Sequence, residues 1–258
     1  MKYRLIVLLA LLPYLGLADC TGDGFWVYPA DGILREDGWI MIEGYAESRR
    51  MIDSINASYQ LTLESEGHQV KMQVMAHYRG QYSLDQVLVK PMEKLKVNET
   101  YTLHIATSKG EKIRNLSHFN PRTDEYEPLQ WTVEKSPVNR MPSWPQKPKW
   151  AKHEVNWYGC GPAVYTVFDL GYLNKGTWVK VELVELETQT KSEFYLRVNP
   201  RDGLLYIGHG MCSGAFNFKQ KHGYKVRFGL LSYSGVAHDK RSRWITFSSP
   251  FDQVGSEF

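Results

Sequence analysis

The stretch from Lys135 to Trp150, KSPVNRMPSWPQKPKW, does most to limit how this 258-residue chain can fold. Pro137, Pro142, Pro145 and Pro148 each remove a backbone donor and fix φ, so neither a helix nor a central strand can run through it. It therefore divides the chain into two parts and reads as a semi-rigid linker. Trp144 and Trp150 are too apolar for a free tether, so part of the linker is expected to pack on a domain surface. The length also fits two domains of ordinary size.

Both flanks read as β-structure. Before the linker, strands are expected at 39–45, 57–65, 69–78, 83–89, 100–107 and 129–134. After it they are expected at 163–170, 177–186, 193–198, 204–208, 224–233 and 243–248. In TWVKVELVEL (Thr177 to Leu186), Val179, Val181 and Leu183 alternate with Lys180 and Glu182, the pattern of a half-buried antiparallel strand. No long amphipathic helix is evident. Short strands with turn residues between them and no alternating helices predict an all-β fold: two tandem antiparallel β-sandwiches, at 19–134 and 151–258, joined by residues 135–150.

The first residues predict export. Lys2 and Arg4 precede the apolar run Leu5 to Leu17, and Gly16 to Ala18 offers small residues for cleavage, so residues 1–18 read as a signal peptide. The run is shorter than a membrane span needs. LADC (Leu17 to Cys20) also resembles a bacterial lipobox, which would lipidate Cys20, although Asp19 stands where that pattern takes a small residue. The protein is expected to be periplasmic or secreted, with membrane attachment only through such a lipid. Three sequons begin at Asn56, Asn98 and Asn115. Formal net charge is +3, of which Lys2 and Arg4 supply two, and HDKRSRW (His238 to Trp244) is the one basic block. Nothing here predicts a nucleic-acid partner.

The two halves share a spacing. In LKVNETYTLHI (Leu95 to Ile105) and FKQKHGYKVRF (Phe218 to Phe228), an apolar residue lies six before a tyrosine and alternating apolar residues follow. This resembles the tyrosine corner of immunoglobulin-like and fibronectin type III sandwiches. The resemblance implies that the Tyr101 and Tyr224 hydroxyls bond back to upstream backbone. YPADGILREDGWIMI (Tyr28 to Ile42) resembles the opening of bacterial immunoglobulin-like modules. Both resemblances imply a fold rather than an activity.

Three cysteines carry the candidate chemistry. Cys160 and Cys212 lie in glycine-flanked contexts within the second half, and an exported chain meets an oxidising compartment, so a Cys160–Cys212 disulfide is expected. Cys20 is then lipidated, free or bonded to a partner. A rival reading starts from CGPA (Cys160 to Ala163), which resembles the nucleophile motif of bacteriocin-leader-processing cysteine peptidases. That resemblance would make Cys160 the nucleophile and His222 its base, but it needs a helix where Val164 to Phe168 favour a strand. A third reading places copper on Met75 and His77, with Met72 near them, because soft sulfur and imidazole suit copper. Met72 faces the other way by strict alternation. Glu43 and Glu47 read as surface charges.

These features predict an exported, non-catalytic binding or structural module without a cofactor, its partner a protein or a glycan. Ser108 to Pro128 and Ser234 to Trp244 are the expected partner surfaces.

Overall fold

The computed structural model describes residues 20, 23–115, 117–120, 124–137 and 141–252, with the side chains of 113–115, 117–120 and 126 outside that description. The expected signal peptide (1–18) lies outside the described residues, as do part of the third sequon and residues 138–140 of the expected linker.

The fold is almost entirely β. The first half contains β1 (Gly24–Tyr28), β2 (Ile33–Arg35), β3 (Ile40–Tyr45), β4 (Tyr59–Ser65), β5 (His68–Arg79) and β6 (Leu84–Pro91). It continues with β7 (Thr100–Thr107), β8 (Lys112–Asn115), β9 (Ser117–Asn120), β10 (Glu125–Pro128) and β11 (Gln130–Glu134). A short 3-10 turn (Ala46–Ser48) and α1 (Arg49–Ser54) interrupt them after β3. The second half contains β12 (Lys149–Tyr158), β13 (Gly161–Asp169), β14 (Thr177–Glu185), β15 (Lys191–Leu196), β16 (Leu204–His209), β17 (Gly223–Ser232) and β18 (Ile245–Ser248). β12 begins inside the stretch expected to be linker, and its Lys149, Lys152 and Glu154 mark it as a solvated edge strand rather than a core one.

In the first half the strands follow the order β1-β3-β6-β5-β4-β7-β11-β2, with β8 beside β7. β5 is long enough to serve both faces. Its start pairs with β4 and the rest with β6, so the sheet wraps over itself. Ile40, Ile42, Val87 and Val89 from β3 and β6 share one core with Leu61, Leu63, Leu103 and Ile105 from β4 and β7. In the second half, β12-β13-β16 and β15-β14-β17-β18 form separate sheets. Val164, Phe168, Leu205 and Ile207 from the first of these share a core with Val179, Val181, Phe194, Val226 and Phe228 from the second.

A third apolar cluster joins the halves. Tyr28, Met41 and Leu88 from the first half pack with Trp178, Tyr195 and Leu231 from the second. β3 is therefore buried on both faces: Ile40 and Ile42 point into the first core, while Met41 points at the other half. A bulge between Val74 and Ala76 completes this arrangement. Val70, Met72 and Val74 face the first core, and strict alternation would send Tyr78 after them. The extra residue, Met75, reverses the faces beyond it. Tyr78 consequently packs edge-on against Tyr195 across the junction, ring centres 5.4 Å apart.

Main-chain bonds reinforce the junction. The turn between β5 and β6 docks on the second half, with Gln81 N–H donating to Ala215 O at 2.9 Å and Gly214 N–H to Tyr82 O at 2.6 Å. Trp39 N–H donates to Tyr233 O at 2.6 Å. Gly235, at φ +75°, lies under the Trp39 ring, where a Cβ would come within 2.1 Å of it. In the expected linker, Ser136 and Pro142 are buried, and Trp144 Nε1 donates to Lys240 O at 3.1 Å. The halves thus meet over a broad packed surface and not only through residues 135–150.

Candidate functional site at the junction of the halves

The corner tyrosines occupy equivalent places. Tyr101 OH accepts the Lys96 N–H at 3.2 Å, and Tyr224 OH accepts the Lys219 N–H at 2.8 Å. Each donor lies five residues upstream, directly after the buried Leu95 or Phe218. Burial is the first cause that raises both phenols' pKa.

His222 lies within the second corner, between Lys219 and Tyr224, and against Glu185, whose carboxylate takes its Nδ1 and accepts from Lys219 Nζ at 2.8 and 3.1 Å. Burial opposes ionisation of Glu185, but the Lys219 and His222 hydrogen bonds outweigh it and hold its pKa down. Glu185 is thus an acid facing His222. Cys160 is not on this cluster, and no hydrogen bond joins it to His222 among the described residues.

The expected disulfide is corrected. Cys212 is bonded to Cys20, 192 residues away in sequence, and Cys160 is the free thiol. The bond links Cys20, ahead of β1, to the second half rather than closing a loop within that half. Cys20, with its sulfur in this bond, is not available for lipidation in this state. The Cys160 sulfur is nevertheless close, since the three sulfurs all lie within 4.8 Å of one another. Cys160 sits in the turn between β12 and β13, and β13 continues as a strand where the peptidase resemblance needs a helix. Cys212 lies in the turn that Gly210 N–H closes on Ser213 O at 2.9 Å. Gly214 then passes so close to His209 that a Cβ would come within 2.2 Å of its Cα. Tyr82 stacks on His209, ring centres 4.2 Å apart, beside this turn.

Met72, Met75 and His77 do not converge. Met72 is buried in the first core, Met75 is the bulge residue, and His77 is exposed on the strand. In the expected basic surface, Arg241 is paired with Glu182, and Arg227 and Lys225 cover the Trp244 ring at 4.6 and 5.3 Å. The other expected surface, 108–128, includes the short β9–β10 hairpin and crosses residues outside the described set.

The reading of Glu43 as a surface charge also fails. Glu43 and Gln86 are a cross-strand pair on the face of β3 and β6 that meets the second half. Gln86 Nε2 donates to Glu43 Oε1 at 2.8 Å and to Tyr195 O at 2.9 Å, while its Oε1 accepts the Tyr195 N–H at 3.2 Å. Burial pushes the Glu43 carboxyl up to about 7, against the Gln86 hydrogen bond and the Arg197 charge, which lower it. The Arg197 guanidinium lies over the Tyr28 ring, 3.4 Å from its centre. Burial, then the Glu43 charge, raises the Tyr28 phenol far above its ordinary range. No sequence pattern marks these groups, because they are assembled from strands of both halves.

Outside this buried network the junction opens into a cleft of about 690 Å³. Asp31 from the first half lines it with Tyr172, Asn174, Arg197, Asn199 and Tyr233 from the second. Tyr172 is 81% exposed. Among the described residues no helix is long and apolar enough to cross a membrane.

No family model matches the chain, and no curated protein matches it. Among solved structures, a type I pullulanase from Bacillus subtilis str. 168 complexed with maltose aligns over 88% of this chain and 25% of its own, at 10% identity and TM-score 0.24. A cytokine receptor complex aligns over 90% of this chain and all of its own, at 12% identity and TM-score 0.26. The Yersinia pseudotuberculosis adhesin InvE aligns over 87% and 58%, at 9% identity and TM-score 0.23. The chain spans about a quarter of the length of the pullulanase.

Proposed function

We propose that this chain is an exported, non-catalytic binding module of two tandem immunoglobulin-like sandwiches, and that the cleft at their junction holds a glycan. The cleft carries this reading. It combines an exposed ring at Tyr172 with amide, carboxylate and guanidinium groups at Asn174, Asn199, Asp31 and Arg197. A sugar stacks its C–H face on an aromatic ring while fixed polar groups bond its hydroxyls, and the volume falls in the range of ligand sites. The floor is rigid because both halves are packed and hydrogen-bonded beneath it. A Cys20–Cys212 bond fits an oxidising, extracytoplasmic compartment.

Glycan-array screening of the oxidised protein, followed by calorimetry on the hits, tests this. Tyr172→Ala and Asn174→Ala should each weaken binding at least about tenfold, the loss of one good contact. Retained binding in both variants would move the site elsewhere. Capture of a protein and no glycan would replace the ligand class.

A further inference from the structure

We propose that Cys160 is an internal exchange thiol, poised to take Cys212 from Cys20 and so release the covalent tether between the two halves. A thiol within 4.8 Å of both sulfurs of a disulfide has the reactants of thiol–disulfide exchange already assembled.

The main chain shows which sulfur is shared. β13 and β16 are hydrogen-bonded neighbours, with Val164 opposite His209. Beyond that pair, β13 leads back to the turn that holds Cys160, and β16 leads on to the turn that holds Cys212. These two cysteines are therefore brought together by sheet pairing within the second half, whatever Cys20 does. Cys20 belongs to the other half, four residues ahead of β1. Cys212 is the fixed sulfur, and Cys20 is the partner that can leave. All three side chains are half-buried, so solvent base can reach the site.

The step balances without an external oxidant or reductant. Cys160 gives its proton to solvent. Its thiolate attacks the Cys212 sulfur, a Cys160–Cys212 bond forms, and the Cys20–Cys212 bond breaks. Cys20 departs as a thiolate and takes up a proton. One disulfide and one thiol stand on each side. The resting bond remains Cys20–Cys212, and the exchanged isomer carries a free thiol at the N-terminal end, competent to form a mixed disulfide with another protein.

The test uses the full chain, never reduced. Wild type is held at pH 8, quenched in acid, denatured, labelled with N-ethylmaleimide and mapped by non-reducing digestion. Label is expected on Cys160 in the main species and on Cys20 in a minor one whose bond is Cys160–Cys212. Cys160→Ser should abolish all label on Cys20. In a second arm, Cys20→Ser is oxidised with glutathione disulfide in native buffer and should form an intramolecular Cys160–Cys212 bond. The proposal is overturned if Cys20 is never labelled in wild type, if Cys160→Ser leaves Cys20 labelling unchanged, or if Cys160 and Cys212 both stay unbridged in folded Cys20→Ser.

Discussion

The two halves use one corner device around unlike cores. In the first, the buried residues around Tyr101 are aliphatic apart from that tyrosine and Trp131. In the second, Phe168, Phe194, Phe216, Phe218, Phe228 and Phe247 belong to the same core as Tyr224. Phe168 meets Phe228 edge-on at 5.2 Å, and Phe218 meets Tyr224 edge-on at 5.0 Å. The hydroxyl bond depends only on backbone spacing, so it tolerates either filling. Rings concentrate packing energy in a few large side chains, whereas the aliphatic core spreads it over many small ones. Core chemistry and corner geometry are thus separable.

The largest effects should come from truncation in the cores. Phe168→Ala should cost about 4 kcal/mol and Ile42→Ala about 3 kcal/mol, since more is lost when a ring leaves a close-packed site. Urea unfolding measures both. The halves share a third cluster and the docked turn at Gln81 and Tyr82, so each variant should shift one common transition. Two transitions, only one of them moved, would show that the halves unfold independently. A larger loss for Ile42→Ala would reverse the comparison.

Glu43 gives an intermediate effect that belongs to the junction alone. Its native pKa of about 7 stands above the ordinary 4.5, so the native state holds a proton that the unfolded chain releases. That contribution is complete below about pH 4.5 and is lost as pH rises through about 7. Relative to wild type, Glu43→Gln should gain stability across this window, by at most about 3 kcal/mol at pH 8. The difference between the two urea midpoints, followed from pH 4 to pH 8, isolates this group. No change in that difference with pH would mean that Glu43 is not desolvated.

The smallest effects compare the corners directly. Tyr101→Phe and Tyr224→Phe each remove the bond from a backbone N–H to the hydroxyl, worth about 1 kcal/mol. Tyr101→Phe also removes the donation from its hydroxyl to Glu99 Oε2 at 3.3 Å, a bond to a partly solvated carboxylate that adds little. The two losses should match despite the different cores, and their double variant should show the sum, because the sites share no partner. Unequal losses would tie corner strength to the rings around it.

Local pattern made much of this legible and long-range pairing did not. The run Thr177 to Leu186 matches the extent of β14, although that strand is buried on both faces, Glu182 included, rather than half-buried. The spacing from Leu95 to Tyr101 and from Phe218 to Tyr224 matches the two bonds from backbone to hydroxyl. β12 escaped because its edge position lets it carry Lys and Glu in place of an apolar face. The Cys20 bond escaped because glycine context says where a cysteine can approach backbone, not which cysteine comes to it. Glu43 was misread because a strand buried on both faces has no solvent side, and nothing within β3 reveals what covers its outer face. The bulge at Met75 re-aims Tyr78, and a period-two reading passes over it.

The amide of Gln86 has a consequence for solubility. Among the described strands β15 is the outermost of its sheet, paired with β14 alone. Such a border offers unpaired N–H and C=O groups to any passing chain and can seed fibrils. Gln86 fills the Tyr195 position with an amide of matching polarity, a one-residue counterfeit of the next strand. A foreign strand would have to evict it, and with it the neighbouring half, before the ladder could grow.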